Sequence, residues 1–308
     1  MKIAIIGAGF AGLASAVFAR EFLNPKQIVL FDKKGIGSGA SGIAAGLLHP
    51  FSGLHSKKNP LGDLGMEETL SLLKKANALN LEPFYKKTAM IRPALNEKQF
   101  NSFKKSAEIY PELLWKEDVF NGFPGLFLEE VYVIHPIPYL KALFLLSQAD
   151  LEVQMIDSLE NLKEFDLTII TTGPFSFKET AHLKVTPLRG QILDVEYEGE
   201  IPINSQAYLL KNILGATFEH DNVTDIPCIE TAKELLLPKI TPFVPNLKVK
   251  GCKAAVRAST PTHMPLIHAV NEKTFLFTGL GSKGLLYHAL FAKKLIKEIL
   301  CRDISGEQ

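Results

Sequence analysis

The sequence predicts an α/β fold, a parallel sheet with crossover helices, interrupted by an inserted α+β region that carries an antiparallel sheet. Three observations lead there. Residues 1–32 run strand, glycine turn, helix, strand, and the strand–glycine–helix order returns at 274–300. Between them, 187–195 and 207–214 read as strands of a separate, more antiparallel region. At 308 residues and 46% hydrophobic content the chain can bury a large core, best divided into two domains.

The opening unit is the most specific. Lys2 to Ile6 forms a short buried strand, and Gly7-Ala8-Gly9-Phe10-Ala11-Gly12 follows at once. An apolar helix from Leu13 to Phe22 comes next, then a strand from Gln27 to Phe31 closed by Asp32. This is the Rossmann-like dinucleotide-binding order. Gly7 permits the tight turn, Gly9 admits a pyrophosphate to the backbone, and Gly12 lets helix and strand pack closely. The helix N-terminus presents free N–H groups to the phosphates, and Asp32 is placed to accept from an adenosine ribose. Gly7, Gly9, Phe10, Ala11, Gly12, Asp32 and Lys33 are the cofactor-binding candidates here. A signal peptide competes for the same residues, since 3–19 is uncharged and Ala14-Ser15-Ala16 resembles a cleavage site. The glycine spacing favours the phosphate turn instead. The three cysteines, Cys228, Cys252 and Cys301, are far apart and form no CxxC, which points to neither a disulfide framework nor a zinc site.

Beyond Asp32, residues 35–46 are too glycine-rich for an ordinary helix and too apolar for a solvated linker. Such a loop brings backbone close to a ligand. Downstream, residues 66–78 read as an amphipathic helix, Thr88 to Arg92 as a strand ended by Pro93, and Asn96 to Glu108 as a helix capped by Asn96. Val131 to His135 is a strand, Pro138 begins a helix to Gln148, and Leu151–Met155 and Asp166–Ile170 are parallel-type strands. The second runs into Thr171-Thr172-Gly173. At the end of the chain, Thr274 to Thr278 meets Gly279-Leu280-Gly281-Ser282-Lys283-Gly284, and a helix follows from Leu285 to Leu300. The expected nucleotide domain is therefore discontinuous, taking 1–60, 130–182 and 250–308, with a substrate domain from 61–129 and 183–249.

These segments together resemble the D-amino acid oxidase superfamily of FAD-dependent oxidoreductases over nearly the whole chain. The resemblance rests on Gly7/Gly9/Gly12, on Gly39-Ala40-Ser41-Gly42 with Ala44-Ala45-Gly46, and on Thr171-Thr172-Gly173. Pro187-Leu188-Arg189-Gly190-Gln191, Ala255-Val256-Arg257 with Pro265, and the 279–284 turn complete it. Within the superfamily the chain most resembles the oxidase half of the bifunctional enzymes that modify the wobble uridine of transfer RNA, through Arg189-Gly190-Gln191 and Leu214 to Phe218. The methyltransferase half of those enzymes is not expected within these 308 residues. The sequence departs from the family pattern at Thr260-Pro261-Thr262-His263, at His268 and at Lys283, where arginine is usual. A lysine there keeps the charge and loses the bidentate fork.

The resemblance implies FAD as cofactor and oxidation of a C–N bond by hydride transfer to the flavin. It places Ser41 and Gly42 on the pyrophosphate, Ala45, Gly46 and Leu47 against the isoalloxazine, and the Val153 backbone at adenine. Thr172, Gly173, Gly281, Ser282, Lys283, Gly284 and Leu285 complete the cofactor set. Arg257 is the candidate clamp for a substrate carboxylate, because a planar guanidinium meets a carboxylate at two points. Lys283 and the Gly284 and Leu285 N–H groups are placed to stabilise negative charge on the flavin. Arg189 reads as a structural turn residue or a pocket residue. No histidine pair has metal-ligand spacing, and His49, beside the flavin loop, is the one worth testing.

The implied substrate is an amino-acid-like secondary amine, either the carboxymethylaminomethyl group of a transfer-RNA uridine or a free molecule such as glycine, sarcosine or a D-amino acid. A non-catalytic flavin- or RNA-binding protein is the remaining alternative. Net charge is +1, so no global field recruits nucleic acid and no DNA partner is expected. Lysine pairs at 57–58, 74–75, 86–87 and 104–105 would form a phosphate-binding patch if gathered on one face. No further apolar run approaches membrane-spanning length, and a cytoplasmic enzyme with no membrane partner is expected.

Overall fold

The computed structural model describes residues 1–79 and 82–302; the tail of the third expected FAD-binding segment, 303–308, lies outside the described residues. Four consecutive buried apolar residues make β1 (Ile3–Ile6). The turn after it feeds α1 (Phe10–Ala19), buried throughout, which begins three residues earlier than the apolar run predicts because Gly12 lies inside the helix. β2 (Ile28–Asp32) follows, then β3 (Leu47–Leu48) and α2 (Gly62–Asn77). β4 (Tyr85–Pro93) precedes α3 (Glu97–Ile109), where Asn96 Oδ1 accepts from the Gln99 N–H as the expected cap. β5 (Leu114–Phe120) and β6 (Phe123–Ile134) form a hairpin whose first strand and turn were not expected. α4 (Pro136–Ser147) starts at the first of two prolines rather than at Pro138.

β7 (Asp150–Val153), β8 (Leu167–Ile170) and the long β9 (Thr186–Glu196) come next. The expected single strand 207–214 is two: after β10 (Ile203–Asn204), β11 (Tyr208–Leu210) turns through Lys211 into β12 (Ile213–Gly215). α5 (Ile229–Leu236), β13 (Lys248–Ser259), β14 (Leu266–Ala269), β15 (Thr274–Thr278) and α6 (Gly284–Arg302) complete the chain.

Two sheets result. The first has the order β14-β15-β8-β1-β2-β7, parallel except for the β14–β15 edge. The second has nine strands in the order β13-β9-β12-β11-β10-β4-β6-β3, with β5 also on β6, and is antiparallel except at β10–β4. The predicted fold class, a Rossmann-like unit with an α+β insertion bearing an antiparallel sheet, is the observed one.

The expected domain limits sit differently on these sheets. Residues 130–134 and 250–259, expected in the FAD-binding unit, are strands of the second sheet, as β6 and β13. α2, expected in the substrate unit, buries Leu72, Leu73 and Ala76 in the same core as Ile3, Leu30 and Leu295 of the first sheet and α6. Thr69 Oγ1 donates to the Leu285 carbonyl at 2.9 Å, and a Cβ on Gly65 would stand 2.4 Å from the Leu286 oxygen. That close approach is what draws α2 onto α6. We place the division of the molecule between the two sheets, with α2 on the side of the first.

Candidate cofactor and substrate site

The first sheet's parallel strands end at one rim, and a cavity of about 920 Å³ opens there. Open α/β sheets bind ligands outside their carboxyl ends. Gly7 and Gly9 after β1, Asp32 and Lys33 after β2, Thr172 and Gly173 after β8, and Gly279 to Leu285 after β15 all line it. The second sheet closes the far side with Gly190, Tyr208, Gly215 and Arg257.

Two helix N-termini face the cavity. In α1 the Phe10 N–H donates to Ser41 Oγ at 3.1 Å, while among the described residues the Gly9, Ala11 and Gly12 N–H groups have no acceptor. In α6 the Lys283 carbonyl accepts from the Leu286 and Tyr287 N–H groups, leaving those of Gly284 and Leu285 free in the same sense. Such groups are a ready site for anionic oxygen. The two ends are tied together below the cavity: a Cβ on Gly284 would lie 3.3 Å from the Phe10 ring. His288, one turn into α6, donates from Nδ1 to the Gly284 carbonyl and receives the Tyr139 hydroxyl at Nε2, 2.8 Å away. Burial lowers His288 to about 4, so it remains neutral.

The glycines divide into two kinds. Gly9 opens onto the cavity, where an added Cβ would meet the Ser41 hydroxyl at 2.8 Å. Gly12 does not line the cavity; a Cβ there would stand 1.8 Å from the Gly7 carbonyl oxygen, so its role is the close packing of helix on turn. Gly42, expected on the pyrophosphate, also stands back from the cavity, and a Cβ on it would lie 1.9 Å from the Gly37 carbonyl oxygen. It shapes the 37–42 loop and leaves Ser41 to face the cavity. Gly46, with φ +86°, holds its carbonyl against the Ile134 N–H at 2.7 Å and exposes Ala45, itself and Leu47 to the cavity.

Asp32 accepts from the Ala8, Lys34 and Gly35 N–H groups at 2.9 Å each and from Ser38 Oγ at 3.1 Å. Oδ1 takes three of these and Oδ2 one, so Oδ2 keeps an acceptor site for a ribose hydroxyl. Lys33 Nζ lies 4.1 Å above the Phe175 ring, which also lines the cavity. Val153, whose backbone the resemblance puts at adenine, pairs with Asp32 at the end of β2 and is 65% exposed, and the next residues, Gln154 to Asp157, line the cavity. The glycine cradle, the free N–H groups at two helix ends and the apolar slot over 44–48 fit FAD.

At the far side, Arg257 on β13 reaches diagonally across to β9, where a Cβ on Gly190 would sit 2.5 Å from its guanidinium. Nη2 donates to the Thr217 carbonyl at 2.5 Å, and Nε is buried without a partner. The Phe218 ring covers it, 4.5 Å from the guanidinium carbon. Burial lowers Arg257's pKa, opposed by Tyr208 and Glu219. Tyr208, raised to about 12 by burial, is the nearby hydroxyl. Sequence reasoning missed it because the 207–214 hairpin reads as one strand. Arg189 does not line the cavity: it pairs with Glu219 at 3.1 Å and donates to the Ile226 carbonyl, so of its two expected roles the structural one holds. Lys283 lines the cavity with its Nζ donating to the His263 carbonyl at 3.2 Å, and burial lowers its pKa.

Arg92 and His49, on the cavity wall, form a cluster that the sequence signalled only at His49. Arg92, 1% exposed, donates to the Asn204, Phe51 and Gly53 carbonyls and so straps the segment after the glycine loop to β10. Burial and this cation hold His49 down to about 3. Its Nδ1 accepts the Phe51 N–H at 3.3 Å, and its Nε2 stands 3.3 Å from the Asn204 side-chain amide.

A dinucleotide cradle that continues into an apolar slot, with a buried arginine on the far wall of the same cavity, is the architecture of a flavin-dependent oxidoreductase. The chain belongs to the FAD-dependent oxidoreductase (DAO) family, whose match spans residues 2–298. Among curated relatives, the tRNA 5-methylaminomethyl-2-thiouridine biosynthesis bifunctional protein MnmC of Idiomarina loihiensis is 22% identical over 348 residues, covering 99% of this chain and 56% of the relative. The protein of the same name from Maricaulis maris is 27% identical, covering 97% and 52%. The chain thus spans about half the length of these relatives. Among solved structures, glycine oxidase from Geobacillus kaustophilus superposes with a TM-score of 0.82 at 17% identity, covering 98% of this chain and 94% of that one. Iminodiacetate oxidase from Chelativorans sp. BNC1 gives 0.79 at 15%, covering 97% and 95%. The chain is an FAD-dependent oxidoreductase. Among the described residues no helix is long and apolar enough to cross a membrane.

Proposed function

We propose that the enzyme oxidises the carboxymethylaminomethyl group of a wobble uridine in transfer RNA. Oxidation of the carboxymethyl carbon gives an imine, and hydrolysis by water then frees the aminomethyl uridine and a two-carbon oxo acid. FAD, when bound, supplies the hydride acceptor for the C–H beside nitrogen. The observation that carries the reading is the buried, unpartnered Nε of Arg257, a residue on the wall of the cavity that the 44–48 slot also lines. A carboxylate there satisfies an N–H that is otherwise unpaired and fixes the neighbouring C–H toward the slot. Ser41, Gly9 and the free N–H groups of α1 hold the pyrophosphate, and those of Gly284 and Leu285, with Lys283, offset negative charge at the ring end. The similarity to the MnmC proteins over nearly the whole chain supports the RNA-borne substrate.

A second reading, oxidation of a free amino acid or iminodiacid, draws on the lysine pairs. Lys58 pairs with Asp63 and Glu112, Lys75 with Glu21, and Lys87 with Glu130, so one member of three pairs is neutralised locally. Lys86 and Lys87 are adjacent on β4 and point to opposite faces. Mass spectrometry of nucleosides from transfer RNA incubated with the holoenzyme separates the two. Loss of the carboxymethylaminomethyl nucleoside with gain of the aminomethyl one supports the first reading. Unchanged nucleosides, alongside flavin reduction by glycine or sarcosine, support the second.

A further inference from the structure

We propose that Phe218 is a stacking platform for a pyrimidine ring carried on the far side of the substrate's amine; this rests on the proposed reaction and deepens it. Phe218 is 59% exposed and lines the cavity. A lone exposed phenylalanine is ordinary on a protein surface. This one is held rigidly. The Thr217 N–H donates to the Gln191 carbonyl at 3.0 Å, and Glu219 and Arg189 exchange two backbone bonds at 3.0 Å, so the backbone on both sides of Phe218 is laced to β9. Thr217 and Glu219 turn their side chains toward Gln191, where Thr217 Oγ1 receives its N–H and Glu219 its side-chain amide. Extended backbone alternates, so Phe218 projects the other way, to the cavity.

Its position relative to Arg257 completes the argument. The guanidinium carbon lies 4.5 Å from the Phe218 ring centroid, a cation–π contact that fixes the ring without using the Nε edge of the fork. A substrate whose carboxylate meets Arg257 extends its amine substituent past the edge of Phe218. An alkyl group as small as methyl leaves the exposed ring uncovered, whereas a flat ring one methylene from nitrogen can lie on it. Aromatic side chains that stack on bases are sequence-tolerant and need no hydrogen-bond partner, in keeping with a platform that offers none.

The test uses the FAD-loaded enzyme, anaerobically, with N-benzylglycine, sarcosine and the nucleoside 5-carboxymethylaminomethyluridine, following binding through the flavin spectrum and then the rate of flavin reduction. Wild type is expected to bind N-benzylglycine at least about ten-fold more tightly than sarcosine. Phe218→Ala should weaken N-benzylglycine several-fold more than sarcosine and so remove most of that preference, and Phe218→Tyr should restore it. The nucleoside should follow N-benzylglycine. Ring preference lost in Phe218→Ala, with a nucleoside that does not react, would keep the platform and reject the uridine substrate. A wild type with no preference for the ring-bearing acid, or a Phe218→Ala variant that weakens both acids equally, overturns the proposal.

Discussion

At Arg257 one guanidinium nitrogen is tied to the Thr217 carbonyl while Nε is buried without a partner, an arrangement that leaves about 1–3 kcal/mol unrecovered until an acceptor arrives. Arg257→Lys should therefore keep its FAD and slow flavin reduction by a carboxylate-bearing amine by on the order of 10²-fold, since lysine keeps charge and loses the two-point fork. A neutral amine should be affected far less, and stopped-flow bleaching with both amines measures the difference; equal losses would make Arg257 a fold or flavin residue. Asp32 has a double role. Its four acceptor contacts organise Ala8 and the 34–38 turn as well as facing the ribose side, so Asp32→Ala should lower FAD affinity and also the melting temperature of the flavin-free protein. A cost of roughly 1.5–3 kcal/mol is expected for loss of such charge-assisted bonds. Unchanged melting of the apoprotein would show the turn to be held by other contacts. The sequence exposed Asp32 through its place at the end of a strand, and Arg257 only through family resemblance. Arg92 gave no signal, because the Phe51, Gly53 and Asn204 carbonyls that make it a strap come together only in the folded chain.

Among elements, the strand–turn–helix units were legible because glycine spacing and apolar runs are local properties. The β5–β6 hairpin and the β11–β12 turn were not: the first is a mixed polar stretch, and the second turns at Lys211, a non-glycine residue with φ +50°. The association of α2 with α6 was hidden too, since Gly65 carries no visible reason until the Leu286 carbonyl is placed against it. The first turn yields a paired prediction. Gly9→Val should give a folded protein without flavin, because the new methyls occupy the cradle and the nearest obstacle is the Ser41 side chain. Gly12→Ala should fail to fold stably, because its Cβ would run into the Gly7 backbone oxygen. Circular dichroism and flavin content of the two purified variants distinguish them. Stoichiometric flavin in Gly9→Val would remove the pyrophosphate from this turn.

Over the whole molecule, two buried histidines couple stability to pH. His49 is held down to about 3 and His288 to about 4, both chiefly by burial, whereas in the unfolded chain each titrates near 6.5. The unfolded chain thus binds protons that the native one refuses. Stability is full above about pH 6.5 and falls as pH drops toward 4, with a slope approaching about 1.4 kcal/mol per pH unit for each group. Denaturant unfolding at pH 7, 5.5 and 4.5 reads this directly, and a flat profile would mean that neither side chain is buried neutral. His49 follows the glycine loop on the cavity wall and His288 sits in the first turns of α6, so acid should also loosen flavin. Arg257 and Tyr208 of the second sheet, with Phe218 beside it, face the carboxyl ends of the first sheet's strands across one cavity, where the proposed reaction would bring substrate and cofactor together. That arrangement is tested most directly by mixing FAD-loaded enzyme anaerobically with 5-carboxymethylaminomethyluridine. Loss of the oxidised flavin spectrum is expected, with appearance of the aminomethyl nucleoside in equal amount. A flavin that stays oxidised with the nucleoside, yet is bleached by glycine or sarcosine, would contradict it.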